Sequence, residues 1–158
     1  MPALMHALRM LYGLGHALVA ALDGSCGALT LPPHVQAARY APGQYYRRHT
    51  DNMPADPASI RHVPTNLREQ LMSFALRSWR SFTVLLYANP GWVPEHGGCL
   101  RLHHETGGFT DVPPLAGRAL IFNSLHQHEV LPAAVHDRWA LTMWVWREDG
   151  DLSKFAVS

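Results

Sequence analysis

Short apolar segments separated by glycine and proline turns run through the chain from residue 35 to residue 146. Turns such as Ala41-Pro42-Gly43, Asn89-Pro90-Gly91 and Thr106-Gly107-Gly108 separate segments that have the length and composition of β-strands. The predicted strands cover residues 35–40, 45–51, 82–87, 99–103, 118–123, 128–131 and 138–146. Seven or eight such strands after a leading helix predict a mainly β protein, a double-stranded β-helix (jelly roll) with flanking α-helices.

Two other segments have helical signals. Leucines recur at helical spacing through the first 22 residues, a stretch apolar enough to be mistaken for a signal peptide. It has no basic cluster before its apolar part, and His6, Arg9 and His16 interrupt it, so we predict a helix that covers the domain. Asn66 predicts the N-cap of a second helix, because Glu69 follows at the spacing of a capping box.

The chain of 158 residues fits one domain, and we expect residues 1–34 to form a helical N-terminal support and 35–147 the barrel core. A net charge of +1 without a long basic run argues against nucleic acid as a partner. No apolar run approaches the about 20 residues that span a membrane, so no membrane partner is expected. Cys26 and Cys99 form no C-x-x-C motif, which favours a reducing, cytoplasmic compartment. The sequence leaves the oligomeric state open.

His49 and Asp51 lie two residues apart at the end of the predicted strand 45–51. Side chains two apart on a strand point to the same face, so both can aim at one point. His128 opens a later predicted strand, and two imidazoles with one carboxylate form the facial triad that holds non-haem Fe(II) and leaves coordination positions open. Arg47 has the same parity, so either it lies beyond the barrel rim or a β-bulge resets the alternation.

The predicted strand 138–146 places a cation on one face. Its alternation separates Arg138, Ala140, Thr142 and Trp144 from Trp139, Leu141, Met143 and Val145. An arginine that faces the barrel interior needs a partner, since an unpaired buried charge is very costly. A ligand carboxylate fits this role, because the guanidinium binds it in two-point geometry. Thr142 and, from the strand 82–87, Tyr87 could add hydroxyl groups to the same ligand.

Taken together, these motifs resemble the 2-oxoglutarate and Fe(II)-dependent dioxygenases, specifically the prolyl 4-hydroxylase branch with its hypoxia-sensing (Egl-nine type) members. The resemblance covers about residues 35–146 with the motif order kept. The matching segments are Tyr40-Ala41-Pro42-Gly43 before His49-Thr50-Asp51, Thr83 to Asn89 followed by Trp92, Gly97-Gly98-Cys99-Leu100-Arg101-Leu102, Gly117-Arg118 with Ile121-Phe122, His128-Glu129-Val130 with Pro132, and Arg138 to Trp144.

The resemblance implies a role for each matching residue. It implies that Fe(II) is bound by His49, Asp51 and His128. It implies that Arg138 binds the distal carboxylate of 2-oxoglutarate with help from Tyr87 and Thr142, and Tyr40 and Trp144 match pocket-lining positions. His103, His104, His126 and His136 are not expected to be ligands, and His126, which shares strand parity with His128, is the best spare candidate.

The resemblance also implies an activity. The expected reaction is hydroxylation of a peptidyl proline or a similar C–H bond, with O2 as cosubstrate, release of succinate and CO2, and ascorbate as an accessory. The expected partner is a peptide or protein substrate. Two alternatives stay open: a cupin-type metal barrel that does not use 2-oxoglutarate, and a non-catalytic metal-binding barrel that acts as a binding or sensing module.

Two segments depart from the family pattern. Only 34 residues precede the first predicted barrel strand, fewer than the family usually has, which leaves the back of the barrel with less support. The segment 52–80 is longer than in the hypoxia-sensing members and follows the metal strand directly. We therefore expect it near the pocket mouth, where it would shape the choice of substrate.

Overall fold

A computed structural model describes residues 2–22, 28–31, 34–51 and 78–148. The predicted helix at Asn66 and most of the segment 52–80 expected at the pocket mouth lie outside the described residues. So does Cys26, and Cys99 is a free cysteine.

Within the described ranges, one helix precedes nine strands. The helix is α1 (Pro2–Ala21). The strands are β1 (Ala28–Thr30), β2 (Gln36–Tyr40), β3 (Tyr46–His49), β4 (Ser78–Tyr87), β5 (Leu100–His103), β6 (Phe109–Val112), β7 (Ala119–Asn123), β8 (His128–Val130) and β9 (Arg138–Glu148). A short 3-10 helix, Pro94–His96, precedes β5.

The strands form two antiparallel sheets. The first has the order β1-β9-β4-β7, with β2 also paired to β9, and the second has the order β3-β8-β5-β6. From β2 to β9 the chain crosses from one sheet to the other at every connection except that between β5 and β6, which is the arrangement of a jelly roll. The predicted fold class is confirmed.

The core has two layers because β4 and β9 bury both of their faces. Helix α1 covers the outer layer, in which Leu11 packs with Val84, Leu86, Leu141, Met143 and Val145. The inner layer joins the two sheets through Leu85, Tyr87, Leu100, Val130 and Ala140. The alternation predicted for the strand that begins at Arg138 is confirmed, since Ala140 faces the barrel interior and Leu141 faces the helix.

Two strands were not predicted, and both lack an apolar alternation. Strand β1 has three residues, lies between the predicted helix and the first predicted strand, and pairs with the end of β9. Strand β6 is exposed along most of its length, so hydropathy gives no signal for it. It is instead held by pairing with β5 and by Arg101, which forms an ion pair with Asp111 and lies over the ring of Phe109.

A β-bulge interrupts the pairing of β3 with β8. Tyr46 pairs with Val130 and His49 pairs with His128, so β3 has one residue more than β8 between these two pairs. The extra residue resets the side-chain alternation, which confirms the bulge proposed from the parity of Arg47. The predicted strand 45–51 is too long, because β3 ends at His49.

None of the helices in the described residues is long and apolar enough to cross a membrane.

Candidate metal centre and cosubstrate pocket

The structure brings His49, Asp51 and His128 together. One potential ligand atom from each of them lies within 4.8 Å of the other two. The Asp51 carboxylate is between the imidazoles, with Oδ1 3.6 Å from His49 Nε2 and Oδ2 3.7 Å from His128 Nε2. The set is two nitrogen donors and one carboxylate, which suits a divalent transition metal such as Fe(II).

Both imidazoles have the tautomer that a metal ligand requires. The Nδ1 atoms of His49 and His128 lie 2.8 and 2.9 Å from the backbone carbonyl oxygens of Arg47 and His126. A carbonyl oxygen can only accept, so in the neutral imidazoles each Nδ1 is the protonated atom that donates. The lone pair of each Nε2 is therefore free and points towards Asp51, which is the arrangement of metal-binding histidines.

The charge states of the site also suit a cation. Burial alone would raise the pKa of Asp51, but the neighbouring His49, the hydrogen bond from Thr83 and the positive potential of His128 lower it to about 2. Burial lowers the pKa of His128 more than its contacts raise it. At neutral pH the site therefore offers a carboxylate and a neutral His128 imidazole, and this imidazole gives up no proton when a cation binds.

Arg138 is a buried cation at the other end of the same interior. Its side chain is 4% exposed, and its Nε donates to the carbonyl oxygen of Gly98 at 2.8 Å. The guanidinium lies over the rings of Tyr40 and Tyr87, 5.1 Å from each centroid. No carboxylate of the described residues forms an ion pair with it. A buried guanidinium without an anion indicates a site for an anionic ligand.

The Tyr87 hydroxyl lies beside this cation. It is buried and forms no hydrogen bond within the described residues. Burial raises the pKa of Tyr87 to about 12, although the nearby Arg138 opposes the shift. The phenol therefore stays protonated at any physiological pH and is available as a donor to an anionic ligand beside Arg138.

The pairing of β4 with β9 aligns the two sites along one inner face. Tyr87 pairs with Ala140, Leu85 with Thr142 and Thr83 with Trp144. The buried Thr142 hydroxyl thus lies between the Arg138 end and the metal end. Thr83 and Tyr87 are four residues apart on β4, about 13 Å along the strand, so a small dicarboxylate and the long arginine side chain can span the interval.

Two residues of the metal end were missed in the sequence. Arg80 donates to the carbonyl oxygen of Asp51 at 3.3 Å, and its guanidinium lies 3.9 Å from the ring centroid of Trp144. Ser124 lies in the turn between β7 and β8, and its backbone carbonyl oxygen accepts a hydrogen bond from the backbone N–H of Asp51 at 2.9 Å. Strand parity could not place Arg80 because a second register shift lies between Arg80 and Phe82.

None of the four histidines that were not expected to be ligands belongs to the three-residue group. His103 pairs with Glu129, His104 with Thr110, and His96 with His136. The side chain of His126, the spare candidate, does not belong to the three-residue group.

A jelly-roll barrel with an inward His, Asp, His set defines the class of mononuclear non-haem metal proteins. Residues 35–146 match the 2OG-Fe(II) oxygenase superfamily, whose name implies Fe(II), 2-oxoglutarate and O2. The chain belongs to this superfamily, and solved structures of the prolyl hydroxylase type are similar to it.

Two solved structures of that type are similar in sequence as well as fold. A prolyl-4-hydroxylase from Pseudomonas putida is 31% identical with a TM-score of 0.63, over 88% of this chain and 65% of that one. A prolyl hydroxylase from Trichoplax adhaerens, solved with a peptide fragment of the hypoxia inducible factor oxygen degradation domain, is 25% identical with a TM-score of 0.64, over 96% and 60%. The chain therefore spans less than two thirds of either relative.

A third structure shares the fold alone. The viral collagen prolyl hydroxylase of Paramecium Bursaria Chlorella virus-1, solved as a 2OG complex, is 18% identical with a TM-score of 0.64, over 89% of this chain and 71% of that one. The curated proteins contain no match.

Proposed function

We propose that this chain is an Fe(II)- and 2-oxoglutarate-dependent dioxygenase that hydroxylates a peptidyl proline or a similar C–H bond and releases succinate and CO2. The observation that carries the proposal is that one interior holds both a His-Asp-His set and a buried arginine that forms no ion pair with a carboxylate of the described residues. We further propose that residues 1–158 act as one such domain, with 1–34 as its support and 35–147 as the barrel core.

In this proposal His49, Asp51 and His128 hold Fe(II). The free Nε2 lone pairs and the ionised carboxylate fit that ion. With 2-oxoglutarate and O2 present, the metal would supply the oxidising power for C–H hydroxylation. The chain itself orients the ligands, and it shields the site with the apolar inner layer around Leu85 and Val130.

Arg138 holds the distal carboxylate of 2-oxoglutarate in this proposal. Tyr87 donates its hydroxyl to the same group, and Thr142 and Tyr40 line the path between that carboxylate and the metal. Tyr40 is supported by its position: its ring lies under the Arg138 guanidinium, and its pKa is raised by burial and by the charge of Asp51. Two anchors at opposite ends of one ligand fix its direction.

The substrate in this proposal is a peptide or protein, and ascorbate is an accessory reductant. The Trichoplax adhaerens relative supports a peptide, because it was solved with one bound. The segment 52–80, most of which lies outside the described residues, stays our predicted determinant of substrate choice.

The activity is tested by incubating the chain with Fe(II), 2-oxoglutarate, O2, ascorbate and a proline-containing peptide set. We expect succinate release that depends on both metal and peptide, together with a mass gain of one oxygen on the accepted peptide. The same protein without added metal, in a chelator, is the control. Metal binding without succinate release or peptide oxidation across the whole set would contradict the enzymatic proposal and favour a sensing module.

Gly98 is predicted to be essential for the placement of Arg138. Its φ is +73°, and a Cβ there would lie 3.1 Å from Arg138 Cδ. We expect Gly98→Ala to raise the KM for 2-oxoglutarate about tenfold, because the added methyl displaces the arginine and a misplacement of about 1 Å can cost about 100-fold. Steady-state kinetics measure the effect.

Gly108→Ala is the matched control for this variant. Gly108 has a φ of +84° with no atom within 4 Å of the added Cβ. The Gly108→Ala variant therefore has the same backbone strain without a contact to Arg138, and its KM for 2-oxoglutarate should equal that of the wild type. Equal effects of the two substitutions would show that Gly98 matters for folding alone.

A further inference from the structure

Asp51 differs from the two histidines in how it is held. Each histidine is oriented by a backbone carbonyl two residues before it in the chain. Asp51 lies beyond the end of β3, where the ladder no longer fixes its backbone. Its position must therefore be set by other elements, and the structure shows which ones.

A directed chain of two hydroxyl groups ends on the Asp51 carboxylate. Thr83 Oγ1 lies 2.6 Å from Asp51 Oδ2, and since an ionised carboxylate can only accept, Thr83 is the donor. The Thr83 oxygen lies 3.0 Å from Ser124 Oγ. Because the single Thr83 proton is already used, Ser124 must donate to Thr83. Both residues are almost fully buried, so water does not compete for these bonds.

Ser124 also holds Asp51 through the backbone. Its carbonyl oxygen accepts the Asp51 N–H at 2.9 Å, and its own N–H donates to the carbonyl oxygen of Ser81 at 3.0 Å. Asp51 is therefore held by hydrogen bonds to both its backbone and its side chain. These hydrogen bonds connect the end of β3, in one sheet, with β4 in the other.

We propose that Thr83 and Ser124 are positioning residues that make Asp51 bind the metal through one oxygen. This inference rests on the proposed function, since it requires the metal site. The Thr83 proton engages Oδ2 and leaves Oδ1 for the metal. A carboxylate that bound through both oxygens would take a coordination position that a facial triad keeps open for other ligands.

The test uses the full chain and Co(II) alone, without 2-oxoglutarate or substrate. We expect Thr83→Val, which keeps the shape and loses the hydroxyl, to weaken Co(II) binding about 10- to 100-fold, the usual effect of removing a hydrogen bond to a metal ligand. Thr83→Ser restores the donor and should stay within about threefold of the wild type. Thr110→Val, on the exposed strand β6, is the control and should leave Co(II) binding unchanged.

A spectroscopic readout separates positioning from simple stability. Visible absorption of Co(II) weakens as its coordination number rises, so Thr83→Val should weaken the band of the loaded protein if Asp51 swings to two-point binding. Ser124→Ala should weaken Co(II) binding about fivefold. The double variant should be no worse than Thr83→Val, because the Ser124 side chain acts through Thr83.

Each outcome decides a different question. A wild type that binds no Co(II), or a His49→Ala variant that binds it equally well, would overturn the proposed function itself. A wild type that binds Co(II), with folded Thr83→Val and Ser124→Ala variants that bind it equally well, would overturn the positioning role alone. If Thr83→Val does not fold, Ser124→Ala decides the matter by the same criterion. Losses that add in the double variant would overturn the directed chain.

Discussion

Replacing Arg138 with methionine is expected to abolish the turnover of 2-oxoglutarate while leaving metal binding intact. Methionine fills most of the space but removes the only buried guanidinium that faces the interior among the described residues. Loss of one partner of a buried, hydrogen-bonded charge pair costs about 2–5 kcal/mol, which is about 30-fold to several thousand-fold in affinity. Succinate release over a range of 2-oxoglutarate concentrations measures the KM, and a Co(II) titration measures the metal site.

Arg39→Met is the matched control for this substitution. Arg39 lies opposite Trp139 on the neighbouring strand, where its exposed side chain pairs with Asp137. Exposed ion pairs contribute about 0–1 kcal/mol, so turnover should change little. A methionine at position 138 that left 2-oxoglutarate kinetics unchanged would instead support a cupin-type barrel that has no use for this cosubstrate.

The second large effect is expected from His128→Ala. The variant keeps His49 and Asp51 but loses one of three proposed ligands, so we expect metal affinity to fall at least about 100-fold and turnover to fall with it. Isothermal calorimetry with Co(II) gives the affinity. The stability of the metal-free protein should change less, because within the described residues the ring forms a hydrogen bond only to the His126 carbonyl.

His104→Ala controls for the loss of an imidazole as such. His104 is exposed, bonds to Thr110 and does not belong to the three-residue group. Its removal should leave both metal affinity and turnover unchanged. If His128→Ala bound Co(II) as tightly as His104→Ala, the three-residue group would not be the metal site.

The positions of most strands could be predicted from the sequence. Strands β4 and β9 are buried on both faces and are therefore strongly apolar, and glycine or proline turns mark the ends of most strands. The alternation along β9 separated Arg138 and Thr142 from the outer layer correctly, since a period of two is fixed by backbone geometry. The convergence of His49 with Asp51 was predicted for a partly wrong reason. Asp51 lies past the strand end, so its aim depends on Thr83 and Ser124 and not on strand parity.

Other parts of the site could not be predicted from one sequence. Arg80 follows no period because a register shift displaces it, and a basic residue on a strand is more often solvated than packed over tryptophan. Ser124 lies in a turn, where serine is common for local reasons. Its role depends on contacts with residues 51 and 83, which are far apart in the chain.

The bulge between Tyr46 and His49 interrupts the pairing of an edge strand at the point where that strand supplies a proposed metal ligand. Deleting one residue there would restore an unbroken ladder with β8, in which Tyr46 and His49 keep their partners Val130 and His128. The bulge, however, carries the Arg47 carbonyl oxygen that accepts from His49 Nδ1, and this oxygen would lose its place. An engineer who straightened this strand for heat resistance would thus loosen the imidazole of His49, so thermostabilising designs should leave residues 46–49 as they are.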